Sequence, residues 1–168
     1  FGKQVITVQK VMIAKKMIDF LRGDIKAVEH FLKVHSYAVL LGKLEKLDAV
    51  SMEILEIAAI VHDIACPVCM EKYGNCNGDH QEAESEALLR PFLAEFEMPV
   101  FMLERIIYLV THHHTVTNIQ GMDYQILIEA DFLVNASEQN IGKKAVEHFI
   151  QKVGCTATGK AMLEKLFL

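Results

Sequence analysis

An acid and a histidine close an otherwise apolar run at residues 57–64, Ile-Ala-Ala-Ile-Val-His-Asp-Ile, so that His62 and Asp63 fall where a helix is expected to be buried. An unpaired carboxylate in such surroundings is costly and must be paired or bound to a cation. The same anomaly recurs around Asp131 at residues 126–134, Ile-Leu-Ile-Glu-Ala-Asp-Phe-Leu-Val. One shared cation would satisfy both acids. His30, flanked by Val28, Phe31 and Val34, offers a third direction of approach. His30, His62, Asp63 and Asp131 are therefore candidate metal ligands. Mixed nitrogen and oxygen ligation suits a divalent ion such as Fe, Mn, Co, Ni, Zn or Mg, one or two of them. Such an ion lowers the pKa of bound water and polarises a phosphoryl oxygen. Taken singly, each of these residues reads more readily as an ordinary core or surface group; the set carries the chemistry.

The elements that must position this set follow a 3.6-residue period, with little strand alternation. A helix over 5–21 has an apolar face of Val8, Val11, Met12, Ile13, Met17 and Phe20, and Gly23-Asp24 breaks it. A second helix over 25–44 carries His30. Asp48 and Ser51 offer N-caps for a third, which runs into His62-Asp63. Residues 66–78, with Pro67, Gly74, Asn75, Asn77 and Gly78, read as a loop. Further helices are expected over 81–95, 99–111, 124–138, 143–153 and 160–168. The expectation is an all-α chain of six to eight helices forming one domain over 1–168, with the site where the second, third and sixth helices converge.

Composition narrows the partners. The 168 residues include 52% hydrophobic ones and a net charge of −5, and no basic run exceeds two residues. Double-stranded nucleic acid needs a basic stripe and is not expected as a partner. No apolar run reaches the length of roughly 18–20 residues that spans a bilayer, and no signal peptide is apparent. The reading is a cytoplasmic protein with no membrane partner and a small phosphorylated substrate, for which a homodimer is allowed. No dinucleotide-binding glycine motif, phosphate-binding Walker loop or serine-hydrolase elbow occurs.

These motifs together resemble the HD-domain metal-dependent phosphohydrolases. His30-Phe-Leu-Lys-Val34 is similar to the family's opening motif, residues 58–64 to its His-Asp motif, and Ala130-Asp131-Phe132-Leu133 to its closing one; Leu47-Asp48 stands where the family starts its next helix. The likeness covers about residues 25–138. A narrower likeness to a bacterial branch of the family rests on Glu71-Lys72-Tyr73-Gly74, Asn77-Gly78, Gln81-Glu82, His112-His113-His114-Thr115 and Asp123-Tyr124-Gln125-Ile126-Leu127. The resemblance implies a hydrolase of a nucleotide or another small phosphate ester, either a phosphatase or a phosphodiesterase. A non-catalytic metal or nucleotide sensor and a di-iron oxygenase of the HD type are the alternatives.

The resemblance also implies second-line residues. Asp63, His113 and His114 are expected to act in catalysis, because two-metal members place a His-His pair near the end of the fifth helix. Their alternative is a solvated helix end. His113 or His114 as imidazolium, with Lys72, are the nearest cationic candidates for stabilising phosphoryl charge, and Gln81, with Glu82 or Glu84, is expected near the substrate. His35 competes with His30, and the offsets to Val34 and Asp48 favour His30. His80 stands one residue out of register with the family's further ligand, which counts against a complete two-metal centre. Cys66, Cys69 and Cys76 admit a zinc site with His80, a redox pair or ordinary loop thiols, and the last is the expectation; a fourth cysteine is Cys155.

Overall fold

Gly23 and Asp24 separate the first two helices, α1 (Gly2–Leu21) and α2 (Ile25–Leu44), and Asp24 caps α2 by accepting the Ala27 amide. The computed structural model describes residues 2–154 and 156–168, with side chains from residue 9 on; Cys155 and the Val8 side chain lie outside these. Asp48 caps α3 (Ala49–Val61) through the Val50 and Ser51 amides, as its acceptor side chain predicts. The chain continues through α4 (Cys66–Tyr73), α5 (Gly78–Leu93), α6 (Val100–His112), α7 (Met122–Glu138) and α8 (Lys143–Phe149). A wider π-type turn, Ile150–Gly154, precedes α9 (Ala157–Phe167). The described residues are all-helical and contain no strand.

Segment 66–78 departs from the expected loop. Pro67 falls in the first turn of α4, where its missing amide costs nothing, and Gly74 ends the helix in the left-handed conformation at φ 70°. These residues punctuate a short helix rather than forbid one.

The centre of the fold is α2, which packs chiefly against α3 and α7. It buries Phe31, Val34, Ala38 and Leu41 against Leu55, Ala58 and Ala59 of α3 and Leu127, Ala130 and Val134 of α7. At Gly42 α2 comes close to α3: a Cβ there would meet the Met52 sulfur, the movable end of a flexible side chain. α1 lies on α3 with a narrower face than the sequence suggests. Ile13, Met17 and Leu21, spaced four apart, are buried, whereas Val11 and Met12 are exposed and Phe20 is partly so.

One buried charge locks the C-terminal helices. Glu129 on α7 accepts hydrogen bonds from the Thr156 amide at 2.5 Å, the Thr156 hydroxyl at 2.7 Å and the Gln125 amide at 2.8 Å. The Thr156 hydroxyl in turn caps α9 by accepting the Gly159 amide. Burial, outweighing these donors, raises the Glu129 carboxyl above its ordinary value of 4.5.

Candidate metal centre

Four stretches of chain converge on one point. His30 comes from the buried flank of α2, His62 from the end of α3, Asp63 from the turn between α3 and α4, and Asp131 from the middle of α7. His113, just past α6, joins them. His30 Nε2 lies 3.1 Å from Asp131 Oδ1, 3.3 Å from His62 Nε2 and 3.4 Å from Asp63 Oδ2. His62 Nε2 lies 3.3 Å from Asp63 Oδ2 and 3.5 Å from Asp131 Oδ1. Asp63 Oδ1 faces His113 Nε2 at 3.5 Å.

The other ring nitrogens fix how these imidazoles present themselves. His30 Nδ1 donates to Glu138 Oε2 at 2.9 Å, His62 Nδ1 to the Ala59 carbonyl at 2.8 Å and His113 Nδ1 to the Val110 carbonyl at 2.7 Å. Each partner only accepts, so each Nδ1 carries hydrogen and each Nε2 turns inward. The two inward nitrogens of His30 and His62, 3.3 Å apart, have room for one hydrogen between them. His113 Nε2 is buried and has no hydrogen-bond partner. The centre thus holds more acceptors than protons, and the residues fit a cation. Outer hydrogen bonds that orient ligating imidazoles in this way are the usual accompaniment of a metal site.

The electrostatics agree. Burial opposes charge on His62, but Asp63 and Asp131 outweigh it and raise the imidazole well above its ordinary range. Burial likewise opposes the rise at His30, where the Asp131 hydrogen bond prevails. Burial would push both acids up; instead His62 and His113 hold Asp63 well below its ordinary value, and His30 and His62 do the same to Asp131. The pocket attracts positive charge, as protons or as a metal. Three overlapping sets could hold an ion: His30, His62 and Asp63; His62, His113 and Asp131; and Asp63, His113 and His114. Within each, the ligand atoms lie within 4.8 Å of one another.

Other expected residues sort themselves by position. His35 points away from the centre and pairs with Glu56 at 3.1 Å. Of the three consecutive histidines, His112 donates from Nδ1 to the Tyr108 carbonyl and stacks on the Tyr108 ring, turned from the site. His114 is exposed at the rim, 3.9 Å from His113 between ring centroids. Loss of solvation, then repulsion by His113, pushes it down to about 4, so it is neutral at pH 7 rather than the expected imidazolium. Lys72 is not among the converging groups. Its ammonium is held by Glu84 at 2.9 Å on the surface of α4.

Gln81 is buried one turn into α5. Its amide donates to the Cys76 carbonyl, and its Oε1 has no partner. The start of α5 is pressed against the rim: a Cβ on Gly78 would lie 2.7 Å from the His114 Cβ. Glu82 accepts from Thr115 at 2.9 Å, tying α5 to the segment after the histidines. His80 faces Asn75 and stacks on Tyr73, away from the centre. The loop-thiol expectation is corrected. Cys66 and Cys76 form a disulfide, because α4 folds the chain back and sets their Cα atoms 5.2 Å apart, whereas Cys69 is buried and free.

Sequence reasoning missed Glu138 and Asn135. Asn135 donates to Asp131 Oδ1 at 2.9 Å, and Glu138 holds His30. Their offsets of four and seven residues from Asp131 put both on its face of α7, a signal that was present in the spacing.

The HD domain family model matches residues 27–149, and the chain belongs to the HD domain family. Solved structures share the fold. A predicted HD superfamily hydrolase from an uncultured Thermotogales bacterium is 21% identical with a TM-score of 0.67, over 92% of this chain and 82% of that one. YpgQ of Bacillus subtilis, crystallised in complex with ADP, is 19% identical with a TM-score of 0.64, over 96% and 88% respectively. No curated protein matches the chain. Among the described residues, no helix is long and apolar enough to cross a membrane.

Proposed function

We propose that the protein is a divalent-metal-dependent hydrolase that cleaves the phosphate ester of a nucleotide or another small phosphorylated metabolite. The observation that carries this reading is the convergence of three inward Nε2 atoms on two carboxylates, with too few protons to satisfy them. His30, His62, Asp63 and Asp131 would hold the ion, and Asp63, which also faces His113, is placed to be shared with a second one. A bound divalent ion supplies Lewis acidity and a water acidic enough to act as nucleophile near neutral pH. The protein's own groups do the rest. Glu138 and the Ala59 and Val110 carbonyls fix the imidazoles. His114, neutral at the rim, offers one ring N–H to a substrate oxygen as an uncharged hydrogen-bond donor. The ADP complex of YpgQ favours a nucleotide among the candidates. His80 is turned to Asn75, which disfavours the di-iron oxygenase reading.

The test is a phosphatase and phosphodiesterase screen across divalent metals, together with elemental analysis of protein purified without chelator. Asp63→Ala is expected to lose metal and activity together. Retention of both at the wild-type level would remove Asp63 and the reading built on it.

A further inference from the structure

A recess of about 270 Å³ opens directly beside the converging ligands, with His30 and Asp63 forming one wall. Most of the remaining lining is apolar, chiefly Met17, Phe20, Leu21, Phe31, Pro67 and Met70. Asp24 at the start of α2 is the further charged group there, and among the described residues no Lys or Arg lines the recess. Met17 and Phe31 belong to the rigid core, whereas Met70, on α4, is exposed and forms a soft edge. Three features of this space bear on what it holds. It is continuous with His30 and Asp63, which would hold the ion that meets the scissile phosphate. Its lining carries the carboxylates of Asp24 and Asp63 and no Lys or Arg, so a polyphosphate tail lying in the recess itself would be repelled. Its size sits just below the usual range for small-molecule sites, roughly 300–1,000 Å³, and its walls are those that bury rings and alkyl chains.

We infer that this recess is the subsite for the organic half of the substrate, and that it selects an uncharged aryl or branched alkyl alcohol esterified to a single phosphate. The inference rests on the phosphoester-hydrolase reading and narrows it to the small phosphorylated metabolite, setting aside the nucleotide that the ADP complex of YpgQ favours. Hydrolysis adds water across the P–O bond, so that inorganic phosphate leaves from the ligand side. The neutral alcohol, carrying the proton, leaves from the recess. Phe20, Phe31 and Met70 contact the organic group, and Met70 can be changed without opening the core.

The experiment has two arms. In the first, 2-naphthol fluorescence is titrated with metal-free protein, which reports on the recess without catalysis. Binding should weaken at least roughly tenfold in Met70→Glu and persist in Met70→Leu. Absent binding, or equal binding by Met70→Glu and wild type, would overturn the inference. In the second, the metal-loaded protein is assayed on 2-naphthyl phosphate, glycerol phosphate and ADP. The naphthyl ester should have the highest kcat/KM, and Met70→Glu should lower that value more than the values for glycerol phosphate and ADP, whereas Met70→Leu should preserve it. Preference for ADP or glycerol phosphate would overturn the inference while sparing the hydrolase reading. Hydrolysis of no ester with any metal would instead overturn the hydrolase reading, and the assignment of the recess as a substrate subsite with it.

Discussion

Truncating Glu138 should weaken metal binding although Glu138 itself faces away from the ligand cluster. Its Oε2 accepts the hydrogen of His30 Nδ1 at 2.9 Å, and its Oε1 is paired with Lys33 at 3.2 Å. The first contact holds the His30 ring so that Nε2 points at Asp131 and Asp63, and it raises the basicity of that nitrogen. Loss of such an outer contact typically costs about 10- to 100-fold in metal affinity. The Glu138 side chain retains 31% of its exposure, so water can replace the lost acceptor in part. The expectation for Glu138→Ala is therefore the lower end, about tenfold, or about 1.4 kcal/mol. In a chain of this size that reduces the thermal upshift produced by metal by about 3–6 °C. The assay is competition against a chromophoric chelator, with thermal unfolding of metal-free and metal-saturated protein alongside. Lys33→Met is the control, since an exposed ion pair contributes about 0–1 kcal/mol and the substitution leaves the His30 hydrogen bond intact. Wild-type affinity in Glu138→Ala would refute the reasoning. Equal weakening in Lys33→Met would also refute it, because loss of the Lys33–Glu138 ion pair rather than of the held imidazole would then be the cause.

Two further outcomes concern stability. Glu129→Ala strips the acceptor from two Thr156 donors and from Gln125, and should destabilise the metal-free protein by about 3–5 kcal/mol in denaturant titration without changing metal content. Because the Glu129 carboxyl is raised, the folded state holds its proton over a window just above pH 4.5 where the unfolded state has released it; stability should fall as pH rises through that window, and Glu129→Gln should remove this slope. Reducing Cys66–Cys76 with a dithiol frees a loop of sequence separation 10 and should lower stability by about 2.5–3 kcal/mol on the chain-entropy account, with no effect on a Cys66→Ser/Cys76→Ser variant.

That His30, His62, Asp63 and Asp131 converge was legible in the sequence because acids and histidines inside apolar helical runs are anomalies that demand a common solution. The boundaries of α2 were legible for a local reason: Gly23 and Asp24 break and then cap the chain. The α1 face was misread because apolar residue types surround that helix, and only tertiary packing chooses Ile13, Met17 and Leu21 over Val11 and Met12. Segment 66–78 was misread because Pro and Gly mark helix ends as well as loops. The Cys66–Cys76 link and the ion pairing of Lys72 depend on how α4 folds back beside α5, which no local pattern encodes. His114 lost its expected charge through the crowding of its neighbours, a property of the assembled rim.

The inward-facing acceptors come from positions 30, 62, 63, 113 and 131, and the last of them to be synthesised, Asp131, lies in the middle of α7. A nascent chain emerging from the ribosome therefore displays only part of this set until residue 131 has been added. It cannot display the complete cluster until α7 has cleared the exit tunnel and docked on α2. Sets formed before α7 docks lack the Glu138 acceptor for His30 Nδ1 and the Asp131 carboxylate. Two of the three sets that could hold an ion, His30 with His62 and Asp63, and Asp63 with His113 and His114, draw nothing from α7, so it is only the full five-residue cluster whose assembly waits on the docking of that helix.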